Sequence, residues 1–224
     1  MPRANALRKH GLKPGDALIL TKPIGTGTLL AADMRGKAKA RWVMAAIAHM
    51  LHSNGKAADI LRHHHVHAAT DVTGFGLLGH LLEMVRASDV DVTLAPDRMP
   101  LLAGARETVA LGIFSSLQPQ NVRLRRAIRD PNLAAQHPLY PLLFDPQTAG
   151  GLLASVPLRE AERCVAALRA AGYAEASVIG LVTARSGDLE PVRLDLNGRR
   201  VAETLAQANP SCATYAEESV HCHS

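Results

Sequence analysis

The residues with the clearest chemical potential stand together between positions 66 and 80. Thr70, Asp71 and Thr73 place a carboxylate between two hydroxyls, and Gly74 and Gly76 follow at once. An aspartate is a hard oxygen ligand suited to Mg²⁺, which keeps several waters and bridges to phosphates. Glycine has no Cβ, so its backbone can lie close to a ligand. If a helix begins after the glycines, its first N–H groups and partial positive charge suit an anion. On that reading Asp71 is a metal ligand. With it, Thr70, Thr73, Gly74 and Gly76 suggest a metal–phosphate site. The same residue types also cap helices, with Asp71 offsetting the dipole. The Gly-Phe-Gly spacing matches neither the Walker phosphate loop nor the dinucleotide fingerprint. Spacing alone leaves both readings open.

The flanking pattern says what must position these groups. Val66 to Ala69 is a short apolar run broken by His67, and Leu77, Leu78, Leu81, Leu82 and Val85 recur at helical spacing. That predicts strand, glycine turn, helix. A second glycine turn, Gly25-Thr26-Gly27-Thr28, opens a helix holding Leu29, Leu30 and Met34. It either faces a phosphate or makes a tight connection. Residues 37–52 read as a helix whose apolar stripe is Val43, Met44, Ile47, Met50 and Leu51, with Trp42 in the core. Ser53 or Asn54 caps the next helix, which runs to about Arg62. His63, His64, His65 and His67 invite a zinc reading, but no convergent set completes a site, and a solvated helix exit explains them.

Further on, Asp89 to Leu94 alternates as a strand with one exposed face, and Leu101 to Leu111 is a helix stopped by Gly112. Residues 114–141 carry short helices near Val122–Ile128 and Asn132–Gln136. Asp145 to Gly151 is a polar turn entering a strand from Leu152 to Val156. Its glycines suit a structural role in the sheet, and Asp145 receives no catalytic role. An amphipathic helix from Leu158 to Ala171, a buried strand Ser177–Val182, an edge strand Val192–Leu196 and the turn pair Asn197-Gly198 complete the order. The whole is α+β: a mixed β-sheet with packed helices. Residues 1–10 are expected to be a disordered end or linker remnant, 11–205 one domain, and 206–224 a weakly ordered tail.

Composition narrows the class. The 224 residues are 47% apolar, enough for a sizeable core. Aromatic content of 3% argues against base stacking on single strands, and a net charge of +5 favours small anions without implying nucleic acid. No nucleic-acid or membrane partner is expected. The three cysteines, Cys164, Cys212 and Cys222, form neither a disulfide framework nor a C-x-x-C pair, which fits a reduced cytoplasmic setting. Cys164 is expected in a helix core, and His221-Cys222-His223 on the tail is too mobile to define a metal site.

Thr70-Asp71-Val72-Thr73-Gly74-Phe75-Gly76-Leu77-Leu78-Gly79-His80 closely resembles the signature of the selenophosphate synthetases, the selenide, water dikinases. Leu20-Thr21-Lys22-Pro23-Ile24-Gly25-Thr26-Gly27, Ser53-Asn54-Gly55-Lys56-Ala57-Ala58 and Leu143-Phe144-Asp145-Pro146-Gln147-Thr148-Ala149-Gly150-Gly151-Leu152-Leu153 agree with it in order. The resemblance spans about residues 11–183 and covers only the family's second half. It implies the C-terminal fold of the aminoimidazole ribonucleotide synthetase superfamily. It also implies a reaction in which ATP, selenide and water give selenophosphate, AMP and phosphate with Mg²⁺, Asp71 being a metal ligand. The reactive Cys or selenocysteine and its Lys belong to an N-terminal domain not found before Gly11. The chain is therefore expected to be inactive alone, with that domain as partner and homodimerisation through it. Another ATP-dependent enzyme of the superfamily, or a non-catalytic remnant, are the alternatives.

Overall fold

The computed structural model describes residues 6–208. Six strands form one sheet among these residues: β1 (Asp16–Leu20), β2 (Ala68–Asp71), β3 (Asp91–Leu94), β4 (Leu152–Pro157), β5 (Ser177–Thr183) and β6 (Val192–Leu194). Their order is β2-β4-β1-β5-β3-β6. Pairing is antiparallel except for β3 with β6, so the sheet is mixed, as expected from the sequence.

Both faces are covered, which explains why β1, β3 and β4 are buried throughout. Along β1, Leu18 and Leu20 enter one apolar cluster while Ala17 and Ile19 enter another. Strand side chains alternate between faces, so two cores follow from one strand. The first core receives Leu77, Leu78, Leu81, Leu82 and Val85 from α4 (Gly76–Ser88). The second receives Ala57 and Leu61 of α3 (Gly55–His63), and Cys164 and Leu168 of α8 (Ala161–Ala170). The apolar spacing of α4 and α8 therefore faces the core as predicted, with Cys164 buried.

Three expectations fail, each for a physical reason. β3 has no exposed face: all four residues are buried, Val92 and Leu94 in the first core and Asp91 and Thr93 on the opposite side, because both faces of the sheet are covered there. The alternating Asp91 is satisfied inside, by Arg129, Arg185 and Ser186. Burial alone pushes its carboxyl up, but the bonds from Ser186 and the Arg185 guanidinium hold it below the ordinary value. In α2 (Ala40–Leu51) the stripe faces out, with Met44, Ile47 and Leu51 exposed by 64, 37 and 80%, while Trp42 and Ala46 face in. Trp42 fits there because Gly104 has no side chain; a Cβ would lie 2.2 Å from the indole. Met34, at the end of α1 (Thr26–Met34), is exposed too. Finally, Asn197-Gly198 leads into a helix, α9 (Arg199–Ala208), that the sequence reading did not anticipate. Asp195 accepts the Val201 N–H at its start.

The middle of the chain holds short pieces: α5 (Ala105–Ala110), α6 (Gln118–Asn121), α7 (Pro131–Ala134) and 3-10 turns at Val122–Ala127 and Tyr140–Phe144. Outside the sheet, the Arg8 carbonyl accepts the Ala69 N–H. The tail cysteines and histidines lie outside the described residues.

Candidate functional site

Asp71 is the last residue of β2 and is solvent-exposed, while Thr70 before it is buried. The Thr70 hydroxyl bonds the Asp71 carbonyl at 3.2 Å. The chain then turns through Val72 to Phe75 into α4, fixing the carboxylate at the sheet's edge beside the N-terminus of a thirteen-residue helix. The capping alternative does not hold. The residue preceding the helix is Phe75, no side chain caps it, and its first turn contains no acid. The carboxylate of Asp71 is thus not consumed by the helix that follows it.

The two glycines differ. Gly76 has φ 71°, and a Cβ there would lie 2.9 Å from the Phe144 carbonyl carbon, so the fold itself requires glycine. Gly74 is exposed, and nothing lies within 4 Å of where its Cβ would be. Its smallness is not demanded by its protein neighbours. Thr73 joins the turn to α4, its hydroxyl 3.1 Å from His80 Nε2. His80 is buried, and desolvation lowers its pKa against the pull of Glu83. Its Nδ1 has no hydrogen-bond partner and lies 3.6 Å from the Glu83 carboxylate.

The loop after Phe144 holds this turn in place. The Gln147 N–H donates to the Thr73 carbonyl at 3.0 Å. The Gln147 side-chain oxygen accepts from the Gly25 and Thr26 N–H groups at 3.0 and 3.2 Å, and the Gly27 N–H donates to Asp145 at 3.1 Å. The first N–H groups of α1 are therefore filled from within the protein. Of the two readings of that glycine turn, the tight connection is the one formed. Asn54 donates to the Gly150 carbonyl at 2.8 Å instead of capping α3. Lys22 donates to the carbonyls of His49, His52 and Ala149 at 3.1, 3.0 and 2.7 Å, and burial lowers its pKa. Asn121 bonds the Gly74 and Phe144 carbonyls at 2.9 and 3.0 Å.

Asp145 is the group sequence reasoning passed over. It is 1% exposed, and burial raises its pKa to about 7 despite bonds from Gln147, Gly27 and Thr28. One of its oxygens has no partner. Its role in the fold is to seat α1.

The histidines do not converge. His63 Nδ1 lies 2.7 Å from the Asp59 carbonyl, His64 pairs with Glu160, and His67 pairs with Asp16. No group of three or more His, Cys, Asp or Glu residues able to hold a metal occurs among the described residues. Asp71 alone fits Mg²⁺ rather than zinc, because Mg²⁺ is commonly held by one or two carboxylates plus waters and substrate phosphates. No helix among the described residues is long and apolar enough to cross a membrane.

The family model for AIR synthase related protein, C-terminal domain, matches residues 13–190. The selenide, water dikinase of Pelobacter propionicus is 42% identical over 176 residues, 79% of this chain and 51% of its own length. That of Clostridioides difficile is 38% identical over 174 residues, 76% of this chain and 49% of its own. The chain thus spans about half the length of the curated relatives it matches. A crystal structure of the hydrogenase maturation protein HypE in complex with ATP shares the fold at a TM-score of 0.55 and 18% identity, covering 86% of this chain and 51% of that one.

Proposed function

The chain belongs to the family of AIR synthase related proteins, whose C-terminal domain it matches over most of its length, and from that premise we propose that it serves ATP-dependent synthesis of selenophosphate. The reaction takes ATP, selenide and water to selenophosphate, AMP and phosphate. The similarity to two selenide, water dikinases supports the acceptor, and the ATP bound by the HypE relative supports the donor. The observation that carries the reading is the exposed Asp71 carboxylate at the strand end, which no helix cap consumes.

In phosphoryl transfer, catalysis is mostly positioning and charge neutralisation. A magnesium ion would supply that neutralisation, and Asp71 would hold it. Thr73 and the open backbone at Gly74 line the approach for phosphate, with Thr70 fixing the Asp71 peptide and Gly76 turning the chain into α4. The covalent chemistry resides elsewhere. Cys164 is buried and its thiol is pushed up to about 12, chiefly by burial, so it is no nucleophile. The activating group belongs to a domain equivalent to the other half of the relatives, which closes over Asp71 and carries the homodimer contact. The protein acts in the cytoplasm, and the half-site alone has negligible turnover.

Calorimetric titration with Mg²⁺–ATP tests this. The native chain should bind measurably, and Asp71→Ala should bind at least about tenfold more weakly, the loss of one charge-assisted contact. Equal affinity of the two proteins would overturn the assignment of Asp71. Selenide-dependent AMP release by the chain alone would overturn its dependence on a second domain.

A further inference from the structure

At the other end of β2 stands a cluster that the nucleotide reading does not use. Asp16, on β1, is buried, and its Oδ2 accepts from the Lys13 N–H at 3.1 Å, from the Ser155 hydroxyl, and from His67 at 2.8 Å. A carboxylate with three donors on one oxygen is an acceptor, so the His67 proton sits on Nδ1. The other ring nitrogen, Nε2, is then a lone pair, and it lies 3.1 Å from Lys13 Nζ. Lys13 is exposed, and its side chain stands between two clefts of about 300 and 450 Å³, both lined by Lys13 and His67. The larger one also contains Arg159 and the open backbone of Gly15.

Carboxylate, imidazole and amine in line are the parts of a base-activated nucleophile. We propose that Lys13 is a base-assisted acylation site: its free amine attacks acyl phosphates held by Arg159, and His67, oriented by Asp16, takes a proton from the nitrogen as the N–C bond forms. Only the unprotonated amine attacks, about 0.04% of an ordinary lysine at pH 7, and a base in contact helps by taking the proton that the nitrogen sheds on bonding to carbon. The ammonium first gives one proton to water. The amine attacks the carbonyl carbon, an N–C bond forms, and Nε2 accepts a proton from the nitrogen, the resulting imidazolium being stabilised by Asp16. The C–O bond breaks with its electron pair leaving on phosphate, which takes the proton from His67. The product is a neutral amide that keeps one N–H but has lost the charge of the ammonium.

The test is exposure of the folded chain to acetyl phosphate at pH 7.5, with initial acetylation rates at each lysine read by mass spectrometry. Lys37 and Lys56, both exposed, are internal standards. Lys13 should react at least about tenfold faster than either, a threshold set below the roughly 100-fold low end of general-base assistance. His67→Gln should bring it down to their rate, and His67→Asn serves as well if the first variant fails to fold. A Lys13 rate equal to the standards in the native chain overturns the inference. So does a fast rate that survives loss of the imidazole. Replacing acetyl phosphate by an uncharged acetylating ester should shrink the ratio, since Arg159 then has nothing to hold; an unchanged ratio would overturn the part given to Arg159.

Discussion

β2 carries an aspartate at one end and reaches another through His67 at the opposite end, and the two acids are treated in opposite ways. Asp16 is buried, and a backbone amide, a hydroxyl and an imidazole converge on one of its oxygens. Asp71 is exposed, and its side chain caps nothing. The first carboxylate is spent on holding protein groups in place. The second is left for something that arrives. Burial and partner count separate an orienting acid from a ligating one, although residue type is the same.

Removing each acid should expose that difference most sharply at Asp16. Asp16→Ala leaves the Lys13 N–H, the Ser155 hydroxyl and the His67 N–H without their acceptor, and should cost about 4 kcal/mol of stability at one to two per stranded donor. Urea unfolding reads this directly. A loss below about 1 kcal/mol would mean that water replaces the carboxylate freely and that the contrast with Asp71 is empty.

The glycine turn offers the next largest effect. Gly76→Ala forces a side chain into a left-handed conformation against the Phe144 backbone, and should destabilise by about 3 kcal/mol, combining backbone strain with a contact that cannot relax. Thermal or urea unfolding would show it with no ligand present. That result would sharpen the comparison by showing that part of the signature beside Asp71 exists for the fold.

Asp145 is a third kind of acid, buried yet incompletely partnered, and pH reveals it. Its folded-state pKa is raised to about 7 from 3.8, so the folded chain holds a proton that the unfolded chain gives up. Stability should therefore fall as pH rises from about 4 to about 7 and level off above. About 2 kcal/mol of that fall lies between pH 5 and 7. Asp145→Asn should flatten this slope. An unchanged slope would assign the pH dependence to groups other than Asp145; His80 is not among them, because its lowered pKa acts in the opposite sense: its burial penalises the charged form, so stability is lost as pH falls towards 5.

The legible parts of the molecule were those whose meaning is local. The α4 pattern, the glycine turn and the exposed acid before it can be read within fifteen residues, and the structure places them as a strand end and a helix start. What was hidden depends on distant partners. Gln147 and Asp145 bond groups 118 to 122 positions away, a pairing no spacing announces. The α2 stripe was visible as a stripe, but periodicity does not say what covers it, and Trp42 opposite Gly104 decided which face turned inward. In β3 the alternation of acid and apolar residues resembled a wet face until two arginines and a serine from elsewhere supplied the polar partners. α9 escaped notice because Val201 and Leu205 are its only buried residues, too few for a recognisable stripe.

The smallest effects on stability should come from the residues argued to meet the nucleotide. Gly74 has open space where a Cβ would go, and its φ is not in the left-handed range. Gly74→Ala should therefore change stability by no more than about 0.5 kcal/mol, and the gain in chain stiffness can even make it slightly positive. Asp71→Ala, an exposed surface change, should do no more. Yet both should weaken Mg²⁺–ATP, Asp71→Ala through the lost metal ligand and Gly74→Ala through a methyl group placed where phosphate approaches the backbone. The informative quantity is the ratio of lost affinity to lost stability, expected to be high at Asp71 and Gly74 and near zero at Asp16, which the nucleotide reading does not use. Should Gly74→Ala leave affinity untouched while Asp71→Ala removes it, the phosphate lies away from the turn and the carboxylate reaches the metal from one side only.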